Sequence, residues 1–129
     1  EHALVVHGGD RLDEITTTDV TRIYEVRDGE VVGDTEFDPE SVGVRRVNRA
    51  EIQGGTPEEN VRIMRELFSG ADKGPRADII AVNAAAGLLV AGIVDDFGSG
   101  VDAAKDAMVD GRAAAQIEAV VDLSNEIAS

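Results

Sequence analysis

The sequence predicts an α/β fold: a partial mixed or parallel sheet with a β-hairpin and flanking helices. Three observations point there. Ala3-Leu4-Val5-Val6 is a short, wholly apolar run closed by Gly8-Gly9, which suits a buried strand covered on both faces. Two β-rich runs are joined by Asp28-Gly29, the turn chemistry of a hairpin. The second half is rich in alanine, with apolar residues three and four apart, the period of a helix face.

The elements follow in order. After the opening strand, 10–18 is polar and irregular apart from Leu12 and Ile15. The hairpin pairs 21–26 with a strand through Val31-Val32. The stretch 34–49, with Pro39 and Gly43, reads as loop with at most one short strand or turn. Thr56-Pro57-Glu58-Glu59 carries an N-cap, a proline at the first helical position and a capping-box partner. Ile63, Met64, Leu67 and Phe68 form the inner face of that helix, and Ser69-Gly70 stops it. Lys73-Gly74-Pro75 is a loop. Asp78-Ile79-Ile80-Ala81-Val82 reads as a second buried strand, running into Asn83 as cap of a helix over 84–91. Two more helices follow. One covers 99–110, with Ala103, Ala104, Ala107 and Met108 inward; the other covers 113–127 and buries Ile117, Val120 and Val121.

Composition narrows the function. The chain has 129 residues, enough for one domain, with 43% hydrophobic residues to bury. Three Phe, one Tyr and no Trp make the core aliphatic. A net charge of −14 argues against nucleic acid and against anionic membranes, both of which need basic surface. The absence of cysteine removes disulfides, thiolate metal sites and a Cys nucleophile. No apolar run approaches the roughly 20 residues of a membrane span, and no signal peptide opens the chain. A cytoplasmic location is therefore expected. Of the basic residues only Lys73 and Lys105 are lysines, and a dispersed acidic shell with scarce lysine points to a salt-adapted source. A chain that begins with Glu1 and enters a buried-type strand at once is expected to be the C-terminal piece of a longer protein.

Candidate chemistry gathers after the first strand. His7-Gly8-Gly9-Asp10-Arg11-Leu12-Asp13-Glu14 leaves the carboxyl end of that strand, where α/β sheets collect ligands. Asp13 and Glu14 offer hard oxygen ligands, and magnesium takes one or two carboxylates beside waters and phosphates. His7 reads as a base, a ligand or a hydrogen-bonded structural residue. Gly54-Gly55 precedes a helix and could cradle phosphate, but Glu58 and Glu59 occupy the first turn and favour capping instead. Asn83 reads as a cap before a ligand contact. No residue is singled out as catalytic.

The succession of blocks resembles the anthranilate phosphoribosyltransferases. It runs through Ala3-Leu4-Val5-Val6-His7-Gly8, Leu12-Asp13-Glu14-Ile15, Thr16-Thr17-Thr18 and Ile23-Tyr24-Glu25-Val26. It continues with Pro39-Glu40, then Gly54-Gly55-Thr56-Pro57-Glu58-Glu59-Asn60, then Asn83-Ala84-Ala85-Ala86-Gly87-Leu88-Leu89. One departure is Arg11, where the family's His-Gly-x-Asp-Gly-Leu-Asp-Glu run has glycine. The resemblance implies a fold of the nucleoside phosphorylase and phosphoribosyltransferase C-terminal-domain type. It implies transfer of phosphoribose from phosphoribosyl pyrophosphate to anthranilate in tryptophan biosynthesis, with Mg2+ as cofactor and Asp13 and Glu14 as its ligands.

The family's N-terminal helical domain, which carries the dimer contact, and its Gly-Thr-Gly-Gly-Asp pyrophosphate loop have no counterpart in 1–129. The chain is accordingly expected to be the C-terminal part of the α/β domain of a homodimeric parent, inactive alone. Alternatives are a domain related to pyrimidine nucleoside phosphorylase, a non-catalytic nucleic-acid-binding relative and an acidic binding module. The Asp-Glu pair argues against the first, and charge argues against the second.

Overall fold

The computed structural model describes residues 1–128. Three strands come first: β1 (His2–Gly8), β2 (Thr21–Arg27) and β3 (Glu30–Phe37). A 3-10 turn (Pro39–Val42) leads to α1 (Arg49–Ile52), α2 (Pro57–Phe68), α3 (Pro75–Val90), α4 (Phe97–Val109) and α5 (Arg112–Ile127). The α/β class holds.

The described strands form one sheet in the order β1-β2-β3, and both pairings are antiparallel. The expected mixed or parallel character is absent from it. The reason lies in β1, where exposure alternates: Leu4 and Val6 turn toward the core while Ala3, Val5 and His7 stay outside, Val5 57% exposed. Only one face is covered, the ordinary condition of an antiparallel strand. The hairpin between β2 and β3 forms as expected. Asp28 (φ 51°) and Gly29 (φ 86°) both lie in the left-handed region that a type I′ turn demands.

Helices cover the inner face of the sheet. Ile15, Ile23, Phe37, Val82 and Val101 are buried there together, and Phe37 meets Phe97 with ring centroids 4.7 Å apart. The core is aliphatic in character, as the composition requires.

The segment 78–83 departs most from expectation. Asp78 to Val82 is not a strand and Asn83 is not a cap; both lie inside the continuous helix α3. An apolar run of this length suits a strand or a buried helix equally. Pro75 at the helix start and the burial of Ala77, Ala81, Val82 and Ala85 decide for helix. That small-residue face packs on α4, where a Cβ added to Gly100 would lie 2.7 Å from the Cβ of Ala85. Lys105 of α4 also meets Asp78 of α3 at 2.7 Å.

Local signals elsewhere fared unevenly. Thr56 and Glu59 form the expected capping box on α2. A second box, Asn48 with Glu51, starts α1 inside the segment read as loop, and Val44 and Val47 of that segment are buried. Asp96 caps α4 by accepting from the Ser99 N–H at 2.8 Å. α5 runs where expected but buries less: Val120 and Val121 are exposed, leaving a groove of about 450 Å³ between α5 and α2.

Candidate functional site

The connection from β1 to β2 is held from within by one carboxylate. Asp10 accepts hydrogen bonds from the Thr16 hydroxyl (2.9 Å), the Thr18 hydroxyl (2.6 Å) and the Leu12 N–H (3.2 Å). Burial alone would push its carboxyl up, but the donors from Thr18, Leu12 and Thr16 prevail and hold it below the usual carboxylate value. Gly8 makes room for this arrangement. A Cβ there would fall 2.6 Å from Asp10 Oδ1, so any larger residue would displace the carboxylate. Arg11 sits at φ 73°, so the position where the family pattern has glycine does require the left-handed conformation.

Asp13 and Glu14 form a two-residue arch between fixed points. On one side the Leu12 carbonyl accepts from the Gly8 N–H at 2.9 Å. On the other, Asn83 reaches across from the middle of α3. Its Oδ1 accepts from the Ile15 N–H at 2.9 Å, and its Nδ2 donates to the Ile15 carbonyl at 2.8 Å and to the Ile79 carbonyl at 2.9 Å. Asn83 therefore acts as a strand would, satisfying both backbone polar groups of one residue. Ile15, Thr16 and Thr17 behind the arch are completely buried.

Both carboxylates of the arch are exposed. Glu14 lines a cleft of about 410 Å³ whose walls include Leu12, Arg49, Gln53, Gly54 and Arg76. Desolvation against that cleft, then the charge of Asp13, then that of Asp10, push the Glu14 carboxyl above its ordinary value. A divalent cation relieves this kind of crowding, and a pair of hard oxygens fits magnesium, which keeps waters and substrate phosphates in its remaining positions. The described residues contain no cluster of three or more His, Cys, Asp or Glu side chains arranged for a metal. A site here would thus lean on oxygen atoms from outside the protein.

The other candidates separate from this arch. His7 is exposed on the sheet face turned away from the helices, not built into the structure by burial. Around Gly54-Gly55 the N–H groups are already used: the Gly55 N–H bonds Asn60 Oδ1 at 2.8 Å, and the Thr56 N–H bonds Glu59 Oε2 at 2.7 Å. The capping reading holds there, and no open phosphate cradle remains at those two groups. Sequence reasoning missed the clamp made by Asn83, whose partner lies 68 residues away. It also missed Arg49 and Arg76 on the cleft wall, although the Asn48 and Glu51 spacing beside Arg49 was a readable signal.

Residues 1–114 match the model of the glycosyl transferase family, a/b domain. The anthranilate phosphoribosyltransferase of Acetivibrio thermocellus is 38% identical over 129 residues, covering 100% of this chain and 37% of that protein. That of Methanosarcina barkeri is 47% identical over 112 residues, covering 87% of this chain and 30% of its own length. The crystal structure of anthranilate phosphoribosyltransferase from Thermus thermophilus superposes with a TM-score of 0.81 at 36% identity. The match covers 91% of this chain and 34% of that one. The Saccharomyces cerevisiae enzyme in complex with PRPP and Mg shares the fold at 22% identity, with a TM-score of 0.79, over 89% of this chain and 33% of that one. The chain spans about a third of the length of the curated relatives it matches. With the model matched across all the strands and the first four helices, the chain belongs to the glycosyl transferase family through its a/b domain.

Proposed function

We propose that this chain is the C-terminal part of the α/β domain of an anthranilate phosphoribosyltransferase. The parent would move phosphoribose from phosphoribosyl pyrophosphate to the amine of anthranilate in tryptophan biosynthesis. The observation that carries the reading is the arch: two adjacent carboxylates between backbone-pinned neighbours, with Glu14 crowded by like charge beside a cleft. The names of the relatives supply the reaction class.

Asp13 and Glu14 would hold magnesium, which when bound offsets the negative charge of a departing diphosphate. The chain's own contribution is positional. Asp10 and Asn83 hold the backbone on either side of the arch, so the carboxylates are placed before any ligand arrives. Ile15, Thr16 and Thr17 close the back of the arch to water. The alignment of an amine against the ribose is assigned to parts of the parent outside these residues, so the chain alone is inactive.

The decisive experiment follows anthranilate fluorescence with phosphoribosyl pyrophosphate and magnesium. The parent protein should turn over, the 1–129 chain should not, and D13N/E14Q in the parent should lose activity by a factor of at least about 100. Full activity of that double variant, or robust turnover by the chain alone, refutes the reading.

The reading extends to a cytoplasmic parent, homodimeric through its N-terminal domain and adapted to salt. The charge of −14 and the two lysines support the last point. Melting temperature should climb steeply from low to molar KCl; a flat response removes salt adaptation.

A further inference from the structure

We infer that Asn83 is a positioning residue for the divalent-cation pair, setting the affinity of Asp13 and Glu14 for metal without touching it. The inference rests on the metal reading of that pair and adds to it the element that holds the pair in place.

Asn83 stands in the middle of α3, where its side chain has no capping duty. Its hydrogen-bonding groups are committed instead. Both amide protons have acceptors, the carbonyls of Ile15 and Ile79, and its oxygen accepts the Ile15 N–H. The bond to Ile79, one turn back on the same helix, fixes the rotamer, so the amide presents a rigid edge to Ile15. Ile15 directly follows Glu14, leaving the arch no freedom to slide at that end. At the other end, the Leu12 N–H and carbonyl are both taken, by Asp10 and Gly8.

An arch restrained in this way has little conformational entropy left to lose when it binds a cation. Freed at Ile15, the same two carboxylates would have to be ordered during binding. Groups that orient metal ligands from behind typically change affinity by about 10–100-fold when removed.

The test titrates Mn2+ alone into the chain, reading free Mn2+ by electron paramagnetic resonance, and follows hydrogen exchange at the Ile15 amide. N83A should raise the Kd for Mn2+ about tenfold and strip protection from that amide. M108A, a cavity variant in α4 away from the loop, should leave both at wild-type values. If N83A does not fold, N83S carries the test. Its short, uncharged side chain gives up the two-point hold on Ile15 without adding charge beside the carboxylates, so Mn2+ should bind more weakly and the Ile15 amide should lose protection, as in N83A. Wild-type Mn2+ affinity in the folded Asn83 variant, or equal weakening in M108A, overturns the inference and leaves the metal reading standing. Unchanged affinity in D13N/E14Q overturns the metal reading, and the inference with it.

Discussion

Gly100 of α4 and Ala85 of α3 meet at a distance that admits no side chain on the glycine: an added Cβ would lie 2.7 Å from the Ala85 Cβ and 2.9 Å from its Cα. Gly87, on the exposed side of α3, has nothing within 4 Å of the same position. Alanine at either site improves helix propensity by up to about 1 kcal/mol. The outcomes should nevertheless be opposite. Gly87→Ala should stabilise the chain by roughly 0.5–1 kcal/mol. Gly100→Ala should cost about 1–3 kcal/mol, because crowding outweighs propensity. Urea midpoints of the two variants check both signs at once.

Arg11 occupies φ 73° without the freedom of glycine. The left-handed conformation costs a residue with a side chain about 1–2 kcal/mol, part of which glycine returns as greater entropy in the unfolded state. Arg11→Gly should therefore raise the melting temperature modestly, and an unchanged or lower value contradicts the strain.

Asp10 links the loop to pH. Its folded carboxyl lies below the ordinary value, so the unfolded chain takes up the proton first. Its contribution is complete above about pH 4 and disappears as pH falls through the folded value. Asp10→Asn should lower the melting temperature at neutral pH, and the gap to wild type should close on acidification below about pH 4. A gap constant across that range shows that hydrogen-bond geometry alone matters.

Glu14 has the opposite bias, because its anion is disfavoured by desolvation, Asp13 and Asp10. Glu14→Gln should raise the melting temperature at neutral pH in metal-free buffer. It should also reduce the stabilisation that millimolar Mg2+ gives the wild-type chain, which follows from preferential binding to the folded state. Thermal scans with EDTA and with Mg2+ separate the two effects.

What was legible in the sequence was local. The Asp28-Gly29 turn and the Thr56-Glu59 box involve neighbours in the chain, and their chemistry is complete within a few residues. Segment 78–83 was not legible from its own residues, because its apolar run fits two conformations; Pro75 at the helix start was a local signal, but the burial of Ala77, Ala81, Val82 and Ala85 that decides beside it is a matter of packing. The composition of β1 concealed its wet face in the same way, since Val5 is exposed despite its apolar character. The candidate ligands Asp13 and Glu14 came from the resemblance more than from spacing. Their support from Asn83 could come only from coordinates, because nothing near Asn83 in the sequence announces a bond to Ile15. The box at Asn48 and Glu51 was visible in principle.

The order of the strands in the sheet matches their order in the chain. Neighbouring strands joined in this way close short loops, so the meander can assemble quickly from nearby residues. The amide bridge to Ile15 must instead wait for a segment 68 positions downstream. The carboxylate turn should consequently gain its fixed shape late in folding, and refolding followed at the Ile15 amide should lag behind the sheet amides of β2.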